Sequence, residues 1–366
     1  LDEAVLRSGV VERAPASSTR VQYRGWAMRR PEALARGGYG HALNEAGGRE
    51  KIMITVLCGG AGGAKLTLGL ARVLLPEPLT VIVNTGDDLL WHGLYVAPDV
   101  DTVIYTLADS ADTTQGWGIR EDSTVTLDAL TRFGFAKWFR VGDRDLATHL
   151  ARTVWMNAGV RYTDAVARLT KGWDVTARVL PMCEAPVRTM VRTPAGDLEF
   201  QVYFVNRQTS VQVSAVKYVG AERAEPTPEV QAALAQAEAI IVAPSNPLLG
   251  IGPMLALPGF RDQLRASPIP IVAVSPIIAG RALNGPAARL LADMGMESSA
   301  LSVAQLYADF LDGFILDRAD AGLEPAVRRL GLDVLVANTV MHSLEDREQL
   351  AQAVLAFARQ MPKRVP

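Results

Sequence analysis

The apolar, β-branched run MITVLC (53–58) passes directly into GGAGGAK (59–65) and then into KLTLGLARVL (65–74), whose apolar residues recur at helical spacing. Strand, glycine loop and helix in immediate succession form the opening unit of an α/β fold. The next buried run, LTVIVNT (79–85), follows with no hairpin turn between, so the two strands are expected to pair in parallel through a right-handed crossover. Four more buried strand candidates, AIIVAPSN (239–246), IPIVAVSP (269–276), GFILDR (313–318) and DVLVAN (333–338), alternate with helical text such as GPAARLLADMG (285–295) and EPAVRRLG (324–331). The expectation is an α/β, Rossmann-like, mostly parallel sheet.

Between these halves the patterning changes. Residues 102–172 are helical in spacing, and VTARVLP (175–181), RTMVRT (188–193), LEFQVYFV (198–205) and VQVSAVKYV (211–219) alternate like short antiparallel strands. The reading is one α/β core made of 51–101 and 226–366, with a helical insertion and a small antiparallel β segment at 102–225. Residues 1–50, rich in Arg and Gly and without sustained apolar periodicity, read as a loosely ordered N-terminal extension.

Composition narrows the function classes. In 366 residues, 37 Lys plus Arg face 39 Asp plus Glu, a net charge of −2 that gives no electrostatic case for a nucleic-acid partner. Cys58 and Cys183 are far apart, and His41, His92, His149 and His342 form no metal-ligand pair, which disfavours disulfide scaffolds and structural zinc. No uncharged apolar stretch approaches the roughly 18–20 residues that span a bilayer. The expected setting is soluble, reducing and cytoplasmic, with no membrane partner.

The loop Gly59, Gly60, Gly62, Gly63 and Lys65 lies where backbone N–H groups and a helix N-terminus hold phosphate, and where a Cβ would keep an anion away. It matches neither common fingerprint: GxGxxG meets Lys65, and GxxxxGK[ST] meets Ala64. The second strand ends in Asn84-Thr85-Gly86-Asp87-Asp88, and PDVDT adds Asp99 and Asp101. Oxygen ligands without His or Cys suit Mg²⁺ bridged to a substrate phosphate. Any one of these acids also fits a loop or a helix cap. In WFRVGDRDLATH (138–149), Asp145 reads as a helix cap and His149 as a core histidine. Ser245 and Asn246 in APSNP and Ser275 in VSPIIAG follow buried strands, where ligands of open α/β sheets bind.

Taken in order, NTGDD, PDVDT, GWGI (116–119), GDRDLATH, LPM (180–182), PSNP (244–247), SPI (275–277), GPA (285–287) and SVAQLYADFLD (302–312) resemble the 2-phospho-L-lactate transferase family (CofD/FbiA-like) of coenzyme F420 biosynthesis. The family loop usually reads GGTGTPK, where this chain has Ala61, Gly63 and Ala64. The resemblance implies transfer of a lactyl, enolpyruvyl or glyceryl phosphate group from a guanosine diphosphate conjugate to the 5′-hydroxyl of the deazaflavin Fo, releasing GMP, with Mg²⁺ and as a homodimer. By position it puts Fo near Asp101 and Arg140, and the guanosine diphosphate moiety between the glycine loop and the PSNP and SPI loops.

On this reading Asp101, Asp88 and Lys65 carry the chemistry, and Asp87, Asp88, Asp99 and Asp101 hold the metal. Substrates are bound by Asp101, Arg140, Gly59, Gly60, Gly62, Gly63, Lys65, Asn84, Ser245, Asn246 and Ser275. An alcohol attacking a diphosphate needs its oxygens neutralised, which cations and backbone amides supply. Asp101 either holds the metal or accepts the hydroxyl proton. The alternative from the same superfamily is a UDP-sugar-binding metabolic regulator without catalysis.

Overall fold

A computed structural model describes residues 53–362 apart from position 284; the extension expected at 1–50 lies outside the described residues. Seven strands, β1 (Ile54–Cys58), β2 (Leu79–Val83), β3 (Arg178–Pro181), β4 (Ala239–Val242), β5 (Ile271–Val274), β6 (Gly313–Asp317) and β7 (Asp333–Ala337), form one sheet in the order β7-β6-β5-β4-β1-β2-β3. Every neighbouring pair is parallel, with Val56 opposite Val81 on one side and Ile241 on the other. This is the doubly wound order, whose direction reverses between β1 and β4.

Both faces of the sheet are covered, which is why the strands read as unbroken apolar runs. Leu57, Ile82, Ile240 and Phe314 point into one core, and Val56, Val81, Ile241 and Ile315 into the other, following the two-residue period of a strand. The second core is roofed by α1 (Gly60–Leu74), α2 (Pro98–Leu107) and, from the far end of the chain, α5 (Leu344–Gln360). α2 opens on Pro98, whose missing N–H costs nothing in a first turn, and α5 on a capping box between Ser343 and Asp346. Two more helices, α3 (Asp143–Asn157) and α4 (Tyr162–Gly172), lie in the inserted segment. Among the described residues no helix is long and apolar enough to cross a membrane.

The structure departs from the expected architecture in three places. Arg178–Pro181, assigned above to the antiparallel segment, is instead the parallel edge strand β3. Its Val179 and Leu180 cover the flank of β2, and Pro181 is tolerated because an edge strand has spare backbone donors. The antiparallel sheet consists of Arg188–Thr193, Gly196–Glu199 and Ala215–Val219. LEFQVYFV leaves it after Glu199, and Val202–Asn206 forms a π-helical turn that stacks Phe200 on Phe204 with centroids 5.4 Å apart. Leu89–Trp91 and Leu94–Val96, not among the strand runs read from the sequence, form a hairpin closed by His92 and Gly93. Both turn residues have positive φ, +50° and +81°, as a type I′ turn requires.

At the reversal point the loops after β1 and β4 cross with almost no space between them. A Cβ on Gly59 would lie 2.6 Å from the Gly250 Cα, and one on Gly62 would lie 2.6 Å from the Pro244 carbonyl oxygen. Gly59→Ala should therefore lower stability by about 1–3 kcal/mol, the usual scale of overpacking. Gly172→Ala, at a helical position with open space around it, should be neutral or mildly stabilising. Urea denaturation midpoints check this; equal midpoints for both variants would contradict the close crossing.

Candidate active site

The reversal point opens into a cleft of about 770 Å³. Gly59, Gly60, Gly62 and Lys65 line it from β1 and α1, and Ser245, Asn246 and Ser275 line it from the loops after β4 and β5. The Gly59 N–H donates to Ser245 Oγ at 3.0 Å. Asn246 Oδ1 accepts from the N–H groups of Leu248 and Leu249, leaving its Nδ2 buried and without a partner. Ser275 spends its hydroxyl on the Ile277 backbone.

The glycines have a different first reason from the one expected. Gly59 and Gly62 are already required by the neighbouring loop's backbone, which leaves no room for a Cβ on either. Gly63 faces away from the cleft, where a Cβ would strike Ser245 Oγ and Cys58 Sγ. Gly60 takes a positive φ of +68° as α1 begins. Lys65 is half-buried, and desolvation together with nearby Arg347 lowers its ammonium pKa.

The four expected metal carboxylates divide into three groups. Asp87 and Asp99 face the cleft together, and neither forms an ion pair among the described residues. Asp87 Oδ1 is buried with no partner. Burial, and then the Asp99 charge, pushes Asp87 well above the usual carboxylate range. Burial raises Asp99 to about 6, although the Asn84 amide and the Gly60 N–H work against it. Asn84 lies behind the cleft as a bracket, donating to Asp99 Oδ2 at 2.8 Å while accepting from the Gly86 N–H. Two desolvated acids with an orphaned oxygen suit a hard divalent cation.

Asp88 points the other way, out of the cleft, and its Oδ2 accepts from the hydroxyls of Tyr95 and Tyr162, each at 2.9 Å. Burial raises its pKa well above the usual range, with the tyrosines and Arg152 offsetting only part. It ties the hairpin to α4.

Asp101 lies in the first turns of α2 and is gripped from α3. Arg152 donates Nη1 to its Oδ2 at 3.1 Å and Nη2 to its Oδ1. His149, expected to be a plain core residue, lines the cleft between two acids: Nδ1 is 3.4 Å from Asp101 and Nε2 is 3.2 Å from Asp145, though neither N–H is aligned for a hydrogen bond. Asp145 does not cap α3. It accepts from the Tyr105 hydroxyl at 2.7 Å, while Asp122 caps the helix by accepting from the Arg144 and Asp145 N–H groups. Burial alone would raise Asp101, but Arg152 and His149 outweigh it and hold the carboxylate below its ordinary value. Asp101, Asp145 and His149 bring possible ligand atoms within 4.8 Å of one another. With both Asp101 oxygens engaged by Arg152, and two bases facing two acids, this group lacks the unmet negative charge of Asp87 and Asp99.

Arg140 stands exposed at the cleft rim, donating to Gln115 Oε1 at 3.0 Å with its guanidinium 5.9 Å from the Trp117 ring centre. The cleft also takes in Tyr105, Phe200, Phe204 and the segment 339–342, none of them expected from sequence. Tyr105 follows Asp101 by one helical turn, and 339–342 follows a buried strand, so those two carried a signal. The phenylalanines reach the cleft through the π-helical turn, which left none.

A doubly wound parallel sheet with a cleft lined by a glycine loop, a lysine and carboxylates at its switch point defines a ligand-binding class of α/β folds. Within it, the family described as 2-phospho-L-lactate transferase CofD matches residues 54–356, and the chain belongs to that family of transferases. It is 37% identical over 302 residues to a 2-phospho-L-lactate transferase of Methanosarcina barkeri, covering 82% of this chain and 97% of the relative. It is 39% identical over 318 residues to a phosphoenolpyruvate transferase of Kitasatospora aureofaciens, covering 85% and 99%. A crystal structure of a UPF0052 family protein from Bacillus halodurans shares the fold, with a TM-score of 0.56 at 15% identity over 84% of this chain and 100% of that one.

His149 supplies a pH test of this electrostatic layout. Burial by itself would depress the imidazole, but Asp101 and Asp145 overcome it and raise its pKa from 6.5 to about 9. A raised folded-state pKa means the stabilisation is complete below pH 6.5 and is lost as pH rises through about 9, on the order of 3 kcal/mol. Relative to His149→Gln, the wild type should lose stability across that window in chemical denaturation. Parallel pH profiles would contradict the bridged imidazolium.

Proposed function

We propose that this protein transfers a phospholactyl-type group, lactyl, enolpyruvyl or glyceryl phosphate, from a guanosine diphosphate conjugate to the 5′-hydroxyl of Fo, releasing GMP, in coenzyme F420 biosynthesis. The observation that carries the reading is the meeting, in one cleft, of a phosphate-competent loop, an unpaired Asp87–Asp99 couple and a separately anchored Asp101. Relatives bearing both the phospholactate and the phosphoenolpyruvate name support a substituted phosphate as the transferred group.

The acceptor oxygen forms a bond to the distal phosphorus, and the bond from that phosphorus to the bridging oxygen breaks, its electron pair leaving with GMP. The hydroxyl proton departs to solvent. Lys65, the loop N–H groups and the free Asn246 Nδ2 meet the diphosphate oxygens, where positive charge counts most as the transition state spreads its charge. Asp87 and Asp99 would hold Mg²⁺, which supplies Lewis-acid neutralisation when bound. Asp101 accepts a hydrogen bond from the hydroxyl and orients it. A carboxylate held below its ordinary pKa is a weak base, so positioning rather than proton removal is its part. Arg140 and Trp117 at the rim suit the flat acceptor ring.

The test is incubation of the purified protein with Mg²⁺, Fo and the guanosine diphosphate conjugate of lactate or enolpyruvate, followed by mass spectrometry for GMP and the phospho-substituted deazaflavin. A protein that forms neither product, and is stabilised against heat by UDP-N-acetylglucosamine but not by GDP, would be a binding regulator instead. Lys65→Ala should raise the donor KM by about tenfold or more, the loss of a charge-assisted contact, while Fo affinity is unchanged. An unchanged donor KM would remove Lys65 from the diphosphate site.

A further inference from the structure

Arg152 is the largest fully buried side chain among the described residues, with 0% exposure, and it does not line the cleft. A buried guanidinium is costly to desolvate, and a buried ion pair is often no more stable than an apolar pair of the same volume. Stability alone is therefore a weak reason for this residue to be where it is. Its geometry offers a better one. Nη1 is shared between Asp101 Oδ2 and the Tyr95 carbonyl, each at 3.1 Å, and Nη2 goes to Asp101 Oδ1. Anchorage on the hairpin backbone fixes the plane of the guanidinium, and the two-pronged contact transmits that plane to the carboxylate. Tyr162 and Tyr95 close the other side around Asp88, so the arginine has no room to swing.

We propose that Arg152, supported by His149 three residues earlier on the same helix face, is a positioning residue that acts through Asp101, fixing its carboxylate so that the remaining lone pairs face the acceptor part of the cleft. This rests on the reading that Asp101 meets the acceptor hydroxyl. Positioned reacting groups lose rate steeply when misplaced by an ångström or less, and α3 supplies the rigid base that a loop could not. The arrangement also explains why residues 145, 149 and 152 of one helix all turn toward a residue of another: Tyr105 holds Asp145, Asp145 and Asp101 flank His149, and Arg152 closes the set.

The test is a double-mutant cycle. Arg152→Lys keeps the charge but loses the fork; it should lower kcat by about tenfold or more and weaken Fo binding while leaving GDP affinity unchanged. In an Asp101→Asn background the same change should cost less than about twofold further, because its target is already gone. His149→Gln, which does not disturb the guanidinium, should show a smaller loss with the same dependence on Asp101. Arg152→Lys with near-normal kcat and Fo affinity, or losses that multiply independently of Asp101→Asn, would overturn the proposal. If Arg152→Lys does not fold, the His149→Gln cycle decides by the same criterion. A wild type that binds GDP but neither binds nor modifies Fo would instead sink the acceptor reading. In that case a crystal structure of Arg152→Lys still decides: an Asp101 carboxylate in an unchanged orientation overturns the positioning role, and a reoriented one supports it.

Discussion

The contact between the loops after β1 and β4 is the constraint on which the rest of the site depends. Two backbones meet at Gly59 and Gly250 closely enough that a Cβ on Gly59 has no room and one on Gly250 would be tightly packed at 3.2 Å from Ser245. That contact sets where α1 begins and lets the Gly59 N–H reach Ser245. It also puts the Gly60 amide beside Asp99, coupling the start of α2 to the same loop. A glycine-rich string is usually explained by the ligand it admits. Here the protein's own packing already demands Gly59, Gly62 and Gly63, and on the proposed reading a bound diphosphate would use N–H groups that this packing has arranged.

Around that crossing the carboxylates follow two electrostatic regimes. Asp87 and Asp99 are desolvated with hydrogen bonds but no cation among the described residues to offset it, so both are raised. Raised acid pKa values oppose folding as pH climbs from the ordinary carboxylate range through the folded values. A bound cation would offset that cost. Asp101 is compensated twice over, by Arg152 and His149, and is lowered. The acids are separated by one intervening residue on α2, yet one has unmet negative charge and the other a fixed, ionised lone-pair array. Asp99 faces the glycine loop and Asn84 whereas Asp101 faces Arg152 and His149 of α3, and this difference in surroundings sets their opposite shifts.

The sequence made the sheet legible because parallel strands buried on both faces appear as short apolar runs, and six of the seven strands were readable on that signal. β3 was not: RVLP is half as conspicuous as AIIV, sits among alternating runs, and its parallel partner lies about a hundred residues away in the chain. The cleft-lining loops were legible because strand ends at a switch point are where ligands lie. Direction was not. Asp87 and Asp88 are adjacent, and nothing in NTGDD says that one enters the cleft while the other turns to Tyr95 and Tyr162. Arg152 sits in unremarkable helical text; only the packing of α3 on α2 reveals its partner. The π-helical turn at Val202–Asn206 likewise has no sequence signature distinct from a strand.

The separation of the two carboxylate corners is tested most directly by titrating Mn²⁺, a hard, oxygen-preferring stand-in for Mg²⁺, into the protein with GDP and following it by electron paramagnetic resonance. Asp99→Asn should weaken Mn²⁺ binding by about 10- to 100-fold, the usual effect of disturbing a metal site, whereas Asp101→Asn should leave it within about threefold. Loss of Mn²⁺ in Asp101→Asn with retention in Asp99→Asn would contradict the separation and return Asp101 to the metal.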